Sequence, residues 1–229
     1  IKITVEMTRE RPDLKAYLGR DLEIVACLWA RTVKSPDPAF GTVDVPLAST
    51  FMLSTKSGKE AFVEPAISGR NYRFFVRACK PKDIDAAKRG TKSGSSGSSF
   101  ICLMSGAPMP FEYLRAEAKA GRMGIRLMAI VAEGDRGRVY LSPTEEIEAS
   151  ALSARPEDVP DAELPKKALG FRVQEYGMTR WADLFIPRQL CALTTLADIV
   201  AGIRETVVRD AVAELSASQH ISTDISNYA

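Results

Sequence analysis

The chain has 229 residues, a formal net charge of +2, 45% hydrophobic residues and 26% charged residues. This composition is typical of a globular protein with a sizeable core and excludes a disordered or fibrous chain. The small net charge excludes a strong overall attraction to nucleic acid or membrane, although a local basic face is compatible with it. No apolar run approaches the ~20 residues that a membrane-spanning helix needs.

The first residues and the cysteines indicate whether the chain is part of a longer protein and in which cellular compartment it lies. The chain begins Ile-Lys-Ile-Thr-Val, with no initiator Met and no signal-peptide pattern, so we expect a segment of a longer protein. The four cysteines are scattered without a CxxC pair, at Cys27, Cys79, Cys102 and Cys191. This spacing favours reduced core residues in a cytoplasmic protein over a disulfide framework.

Residues 1–79 predict a β-rich half. The apolar run Leu22–Val33 is long enough for a central strand. Three shorter strands are predicted at 50–55, 61–65 and 72–78, separated by Ser-Gly turn signals. Their succession predicts an antiparallel β-meander.

Residues 80–99 break the composition with the segment KPKDIDAAKRGTKSGSSGSS. Gly/Ser tracts bury too little apolar surface to order themselves, so we expect a flexible loop here. The sequence leaves open whether the GSSGSS run is natural or an inserted linker.

Residues 100–168 predict a small hairpin with helices. We expect a short helix at 111–119 and two strands at 124–133 and 137–141. The tetrapeptide SPTE that begins at Ser142 then has the pattern of a capping box with Pro at the first helical position, which predicts a helix to about residue 153.

Residues 169–229 predict a long C-terminal helix and a tail. Apolar residues recur at three- and four-residue steps from Pro187 to Leu215, as on one face of a helix, and the residues after Ser216 are polar. The fold class predicted for the whole chain is α+β.

The residues that common catalytic sites need are missing. The single histidine, His220, lies in the polar tail, which disfavours a Ser–His–Asp triad, and no GxxxxGK[ST] phosphate loop occurs. The segment Asp37–Phe40 (DPAF) approaches the Asp-Pro-Pro-Tyr signature of amino-methyltransferases but lacks its second Pro and its Tyr, so we interpret it as a β-turn. We expect no catalytic residue and no small-molecule ligand in this chain.

A basic cluster is the strongest functional signal. Six basic residues fall within 24 positions that also contain two tyrosines: Arg115, Lys119, Arg122, Arg126, Arg136 and Arg138. On a helix followed by a hairpin these side chains can share one surface and contact DNA phosphates. The alternative interpretation is a solvated face that Glu112, Glu117, Glu133 and Asp135 balance.

Three long stretches point to a known family. They are Leu28–Val33 (LWARTV), Ala116–Glu146 and Tyr176–Val200 (YGMTRWADLFIPRQLCALTTLADIV). Together they resemble the middle of the large Zn-ribbon-containing adenine-specific DNA methylases, a bacterial family often found with phage-defence genes. The resemblance covers nearly the whole chain, roughly residues 8–215.

The resemblance implies an S-adenosylmethionine-dependent DNA adenine-N6 methyltransferase. The family's cofactor motif lies upstream of this region and its Asp-Pro-Pro-Tyr motif lies downstream, and neither occurs here. The chain would then be an internal, non-catalytic segment that recognises or contacts DNA, with S-adenosylmethionine bound only by the full-length protein. Its implied partners are DNA and the rest of the methyltransferase chain, and no membrane.

The zinc ribbon of the family is degenerate in this sequence. Relatives have two cysteine pairs, which give Zn²⁺ a tetrahedral set of four thiolates. The matching positions here are Ser35, Phe40, Cys102 and Ser105, so a single thiolate remains and we expect no metal. The resemblance predicts that a ribbon-like β-framework persists, with Phe40 filling part of its core.

Two other functions stay open. In the first, the chain is an interaction or scaffolding module of a phage-defence methylase without direct DNA contact, and an exposed apolar stripe along Leu190–Leu215 would favour it. In the second, the chain is a complete small enzyme, which would need a pocket with convergent polar groups.

Overall fold

The computed structural model describes residues 1–93, 99–135, 137–166 and 172–226, with side chains described as far as Leu215 in the last range. The fold is α+β, as predicted, with small antiparallel sheets and a long C-terminal helix. The helices are α1 (Val5–Glu10), α2 (Ile84–Arg89), α3 (Phe111–Lys119), α4 (Glu145–Ser153) and α5 (Pro187–Ser226). The strands are β1 (Ile24–Lys34), β2 (Asp44–Leu47), β3 (Met52–Ser54), β4 (Ala61–Ser68), β5 (Asn71–Arg77), β6 (Ser99–Ile101), β7 (Pro108–Pro110), β8 (Gly124–Gly134) and β9 (Gly137–Leu141).

The chain forms two compact units whose boundaries differ from those of the predicted segments. One unit contains Ile1–Ala149 and Pro165–Met178, and the other contains Ser150–Leu164 and Thr179–Ala229. In the second unit, Arg180 forms an ion pair with Asp161, and Trp181 begins a 3-10 helix just before α5.

The central sheet joins the two predicted halves of the first unit. It has the strand order β2-β1-β8-β9, and all its pairs are antiparallel. Cys27 in β1 pairs with Ile130 in β8, and Ile130 pairs with Leu141 in β9. Because β1 and β8 each have a neighbour on both sides, they have the long apolar runs that the sequence shows. Residues 1–79 and 100–168 therefore share one sheet.

The predicted meander corresponds to the three-stranded sheet β3-β4-β5. In β5, Tyr72, Phe74 and Val76 are buried, while Asn71 before them and Arg73 between them are exposed. This period of two is the pattern of a sheet that has one face on a core. The Tyr72 and Phe74 rings meet edge to face with centroids 5.3 Å apart, which favours this packing.

The structure has a helix at each of the two predicted places, 111–119 and 142–153, but the predicted cap of the second helix was wrong. The Thr144 hydroxyl, not that of Ser142, accepts the backbone N–H of Ile147 at the start of α4. The Ser142 hydroxyl instead accepts the backbone N–H of Val76. The Ser142 side chain, which the local pattern predicted to cap the helix, therefore forms a tertiary hydrogen bond instead.

Helix α5 is longer than predicted. It continues past Leu215 to Ser226, so its 40 residues extend about 60 Å at 1.5 Å per residue. Among the described residues, no helix combines the length and the hydropathy that crossing a bilayer requires.

The predicted flexible loop 80–99 contains ordered structure, which corrects that prediction. Residues 84–89 form α2, which the Asp83 carboxylate caps by accepting the backbone N–H of Ala86. Thr91 is buried, and its hydroxyl lies within hydrogen-bond distance of the carbonyls of Pro46 and Ala48. The GSSGS run at 94–98 lies outside the described residues.

Candidate functional site

Three of the six residues of the predicted DNA-contacting cluster are engaged in ion pairs inside the protein. Arg115 on α3 contacts Glu175 at 2.6 Å and lies over the Tyr176 ring. Arg122, after α3, donates two hydrogen bonds to the Glu117 carboxylate, at 2.9 and 2.7 Å. These guanidinium groups hold local structure, so a phosphate would have to compete with a carboxylate for them.

The third paired residue, Arg126 on β8, connects two elements of the core. Its Nε lies 3.2 Å from the Glu148 carboxylate of α4, and its guanidinium lies over the Tyr72 ring. The same carboxylate accepts the backbone N–H of Leu127 at 2.9 Å. Arg126 is only half-exposed, and its role is to attach α4 to the sheet.

The electrostatics of these pairs follow from their geometry. The Arg122 hydrogen bond lowers the pKa of Glu117 below its ordinary value, although burial opposes this change. The same pair raises the pKa of Arg122. Burial raises the pKa of Tyr72, while the charge of Arg126 acts in the opposite direction. All three groups keep their usual charge state at neutral pH.

The predicted cluster does not form one compact surface. Arg138 pairs with Glu133 across β8 and β9, and Glu133 is seven residues along β8 from Arg126, or about 23 Å. Lys119 and Arg138 are exposed and form no ion pair with the described residues. Arg136 lies outside the described residues.

Arg138 lies in a basic concavity, which we call the β3–β9 groove. The groove has a volume of about 800 Å³, and four basic and two acidic residues line it: Arg11, Lys56, Lys59, Arg138, Asp13 and Glu60. The Arg11 guanidinium donates hydrogen bonds to the Asp13 carboxylate and to the carbonyls of Val76 and Tyr140. The lysines come from the turn after β3, where Gly58 has a φ of 71°. Lys56 and Arg138 both line this space and are exposed.

A second basic concavity, which we call the α2 cavity, has a volume of about 890 Å³. Three exposed cations line it, Lys88, Arg89 and Lys92, together with one acidic residue, Asp85. The cations form no ion pair with the described residues. Apolar side chains from Phe51, Ile101 and Leu103 also line the cavity.

The sequence interpretation missed both concavities for different reasons. The density of Lys and Arg between residues 80 and 92 was a visible signal, but the Gly/Ser composition beside it favoured a disordered loop. No local signal connects Lys56 to Arg138, because only the tertiary fold brings the turn after β3 and strand β9 to the same concavity.

Three of the four positions that the resemblance assigns to a degenerate zinc ribbon lie close together in the structure. The Ser35 hydroxyl lies 3.2 Å from the Cys102 sulfur, and Ser105 also hydrogen-bonds that sulfur. Burial acts to raise the pKa of the Cys102 thiol, but hydrogen bonds from Ser105, Ser35 and the backbone N–H of Met104 outweigh it. The net result is a lowered pKa.

Phe40 does not fill the core beside Cys102, which corrects the prediction. It lies in the short 3-10 helix Pro38–Phe40, and Phe100 and Phe111 pack in that core instead, with ring centroids 6.5 Å apart. Among the described residues, no group of three or more His, Cys, Asp or Glu is placed to hold a metal ion.

Helix α5 exposes a broad apolar surface over its described side chains. Nine large apolar residues are exposed there: Leu193, Leu196, Ile199, Val200, Ile203, Val207, Val208, Val212 and Leu215. Val200 and Leu215 each keep 66% of their surface accessible. An apolar surface of this extent is typical of an interaction site.

Comparisons with known protein families, with curated proteins and with solved structures find no match to this chain. Function must therefore be argued from the residues and their arrangement.

Proposed function

We propose that this chain is an internal, non-catalytic, DNA-contacting segment of an S-adenosylmethionine-dependent DNA adenine-N6 methyltransferase that acts in the cytoplasm. The three stretches that resemble the Zn-ribbon-containing adenine-specific methylases support this proposal. Two of them, Leu28–Val33 and Ala116–Glu146, supply β1 and β8, which pair with each other in the central sheet. Two of the three stretches thus meet in one sheet.

Catalysis belongs to other parts of the parent protein under this proposal. The sequence contains neither the cofactor motif nor the Asp-Pro-Pro-Tyr motif that the family uses. The parent's flanking regions would bind S-adenosylmethionine and the target adenine, while this segment would hold the DNA near them. The four free cysteines fit the reducing cytoplasm, where such an enzyme would meet DNA.

The β3–β9 groove is the observation that supports DNA contact. Its exposed cationic residues are Lys56, in the turn after β3, and Arg138, in β9, whose backbone is held by sheet hydrogen bonds to β8. Lys and Arg in such positions bind phosphates by charge and release the counterions of the DNA, so the affinity depends on salt and little on sequence. Of the predicted cluster, Arg138 is the residue best placed for this role.

The test is fluorescence anisotropy with a labelled duplex of about 25 base pairs, titrated across salt. We expect log affinity to fall linearly with log salt, and the Lys56→Ala/Arg138→Ala variant to lower the slope by about 2. Arg70→Ala is the matched control, because Arg70 is an exposed cation in the turn between β4 and β5 and lines neither concavity. Absence of binding by the native chain at low salt would refute the proposal.

A second candidate function is an interaction module that docks the rest of the methyltransferase chain, and the apolar surface of α5 favours it. In this case the chain would form a complex with the separately produced remainder of its parent protein. Leu196→Gln/Ile203→Gln should abolish the complex, and Arg209→Gln, at an exposed position of the same helix, should not. A complex of unchanged affinity in the double variant would remove α5 from the interface.

A further inference from the structure

The α2 cavity presents the densest set of unpaired cations that we find in the described part of the chain. Lys88 and Arg89 end α2, and Lys92 follows two residues after the helix cap at Gly90. Cations in the last helical turn also interact favourably with the helix dipole. That effect does not account for Lys92, which lies outside the helix, and it is small for a helix of only six residues.

The backbone that presents these cations is fixed to the body of the first unit. The Gly90 backbone has a φ of 62°, and a Cβ at this position would come within 2.4 Å of the Ala48 carbonyl oxygen. The Thr91 hydroxyl accepts the backbone N–H of Ala48, and the Thr91 carbonyl accepts that of Ile101. Fixed backbone on both sides of Gly90 means that binding a ligand costs little ordering entropy.

The floor of the α2 cavity is apolar. Ile101 keeps 39% of its surface exposed, Leu103 is half-buried, and Phe51 is buried beneath them. A duplex presents phosphates and groove edges, and it cannot place an apolar group into a concavity of this kind. An unpaired nucleotide presents both parts, a charged phosphate and a flat apolar base face.

We propose that the α2 cavity binds an unpaired nucleotide of a DNA strand. Its phosphates contact Lys88, Arg89 and Lys92, and its sugar and base lie on Ile101 and Leu103. This inference rests on the proposed DNA-contacting function and names a surface beyond the β3–β9 groove. The two surfaces are close: Phe51 lines the cavity, and Ser54, three residues or about 10 Å further along β3, lines the groove.

The test compares three labelled probes of equal length: a thymidine oligonucleotide, the same strand with abasic sites, and a duplex. The native chain should bind the oligonucleotide more tightly than the abasic strand or the duplex. Lys88→Ala/Arg89→Ala/Lys92→Ala should weaken oligonucleotide binding about tenfold or more and lower the salt slope by about 2. The control with the same charge change is Lys2→Ala/Arg9→Ala/Arg70→Ala, at exposed cations outside both concavities.

A second variant tests the floor independently of charge. Ile101→Gln should reduce binding of the oligonucleotide severalfold and leave binding of the abasic strand unchanged. All substituted side chains are exposed, so circular dichroism melts should match the native protein.

The outcomes separate this inference from the function on which it rests. If the native chain binds DNA but the α2 triple variant binds the oligonucleotide as the control does, the inference is wrong and the proposed function stands. Equal affinity of the native chain for the oligonucleotide and the abasic strand would also overturn it. Failure of the native chain to bind any probe at low salt would overturn both.

Discussion

The Ser35 hydroxyl and the Cys102 sulfur lie 3.2 Å apart although 67 residues separate them in the chain. Ser105 hydrogen-bonds the same sulfur, and Gly106 follows it with a φ of 74°. The hydroxyls therefore occupy positions from which thiolates could reach the same centre as Cys102. The Ser35, Cys102 and Ser105 side chains thus converge on one point in the structure.

This arrangement predicts that a metal site can be introduced by substitution. Ser35→Cys/Ser105→Cys, together with Cys102, should bind one Co²⁺ and show sulfur-to-cobalt charge-transfer absorption, because three thiolates would surround a tetrahedral position. The native chain should show no such band, and a chelator should leave its melting temperature unchanged. The control Ser35→Cys/Ser105→Cys/Cys102→Ser should lose the band. A double variant without a band would show that the three side chains do not converge closely enough.

The buried Arg11 predicts a large loss of stability on truncation. Its side chain is 9% exposed, and its guanidinium pairs with Asp13 and donates to the carbonyls of Val76 and Tyr140. Arg11→Ala should lower the free energy of unfolding by about 2–3 kcal/mol, measured by urea denaturation, because two buried carbonyls lose a charged donor. Arg20→Ala removes an exposed pair with Asp135, which solvent screens, and should therefore destabilise the fold much less. Equal losses would contradict the bridging role of Arg11.

Substitution of Gly90 should destabilise the fold more than substitution of Gly106, because of the two only Gly90 lies close to neighbouring backbone. Gly90→Ala combines a positive φ with a Cβ 2.4 Å from the Ala48 carbonyl oxygen, and should destabilise the fold by about 2 kcal/mol or more. At Gly106 the φ is 74° and no atom lies within 4 Å of the Cβ position, so Gly106→Ala should cost about 1 kcal/mol. Thermal melts of the two variants provide the comparison, and equal melting temperatures would argue against the close approach at Ala48.

The Glu117–Arg122 pair predicts a dependence of stability on pH. Because the Arg122 hydrogen bond lowers the pKa of Glu117 in the folded protein, the pair stabilises the fold above the ordinary carboxyl pKa of 4.5. This contribution is lost as the pH falls through the lowered value. Glu117→Gln should therefore melt below the native protein at pH 7, by about 1 kcal/mol in stability, and the difference should shrink in acid. Glu112→Gln, at an exposed position of the same helix, should show no such trend.

The elements that were predicted well have local signals. The bounds of α3 and β9 agree with the prediction, because helical periodicity and strand alternation act over a few residues. The pairing of β1 with β8 and the short strand β2 were not predicted, because they depend on contacts between distant segments.

The candidate functional site shows the same difference between local signals and contacts of distant residues. The cationic character of Arg115 and Arg126 was evident from the sequence, but their carboxylate partners Glu175 and Glu148 are 60 and 22 residues away. A one-dimensional pattern cannot tell a cation that holds a helix in place from one that faces solvent. Arg138 stays a candidate for phosphate contact, because it forms no ion pair with a carboxylate among the described residues.

The pairing of β1 with β8 has a consequence for synthesis of the protein. Cys27 and its partner Ile130 are about 100 residues apart, so β1 leaves the ribosome long before its inner neighbour exists. At translation rates of about 5–20 residues per second, this apolar strand waits for roughly 5–20 s without that partner. Nascent chains should therefore engage chaperones through β1, and slowing translation between the two strands should lower the yield of soluble protein.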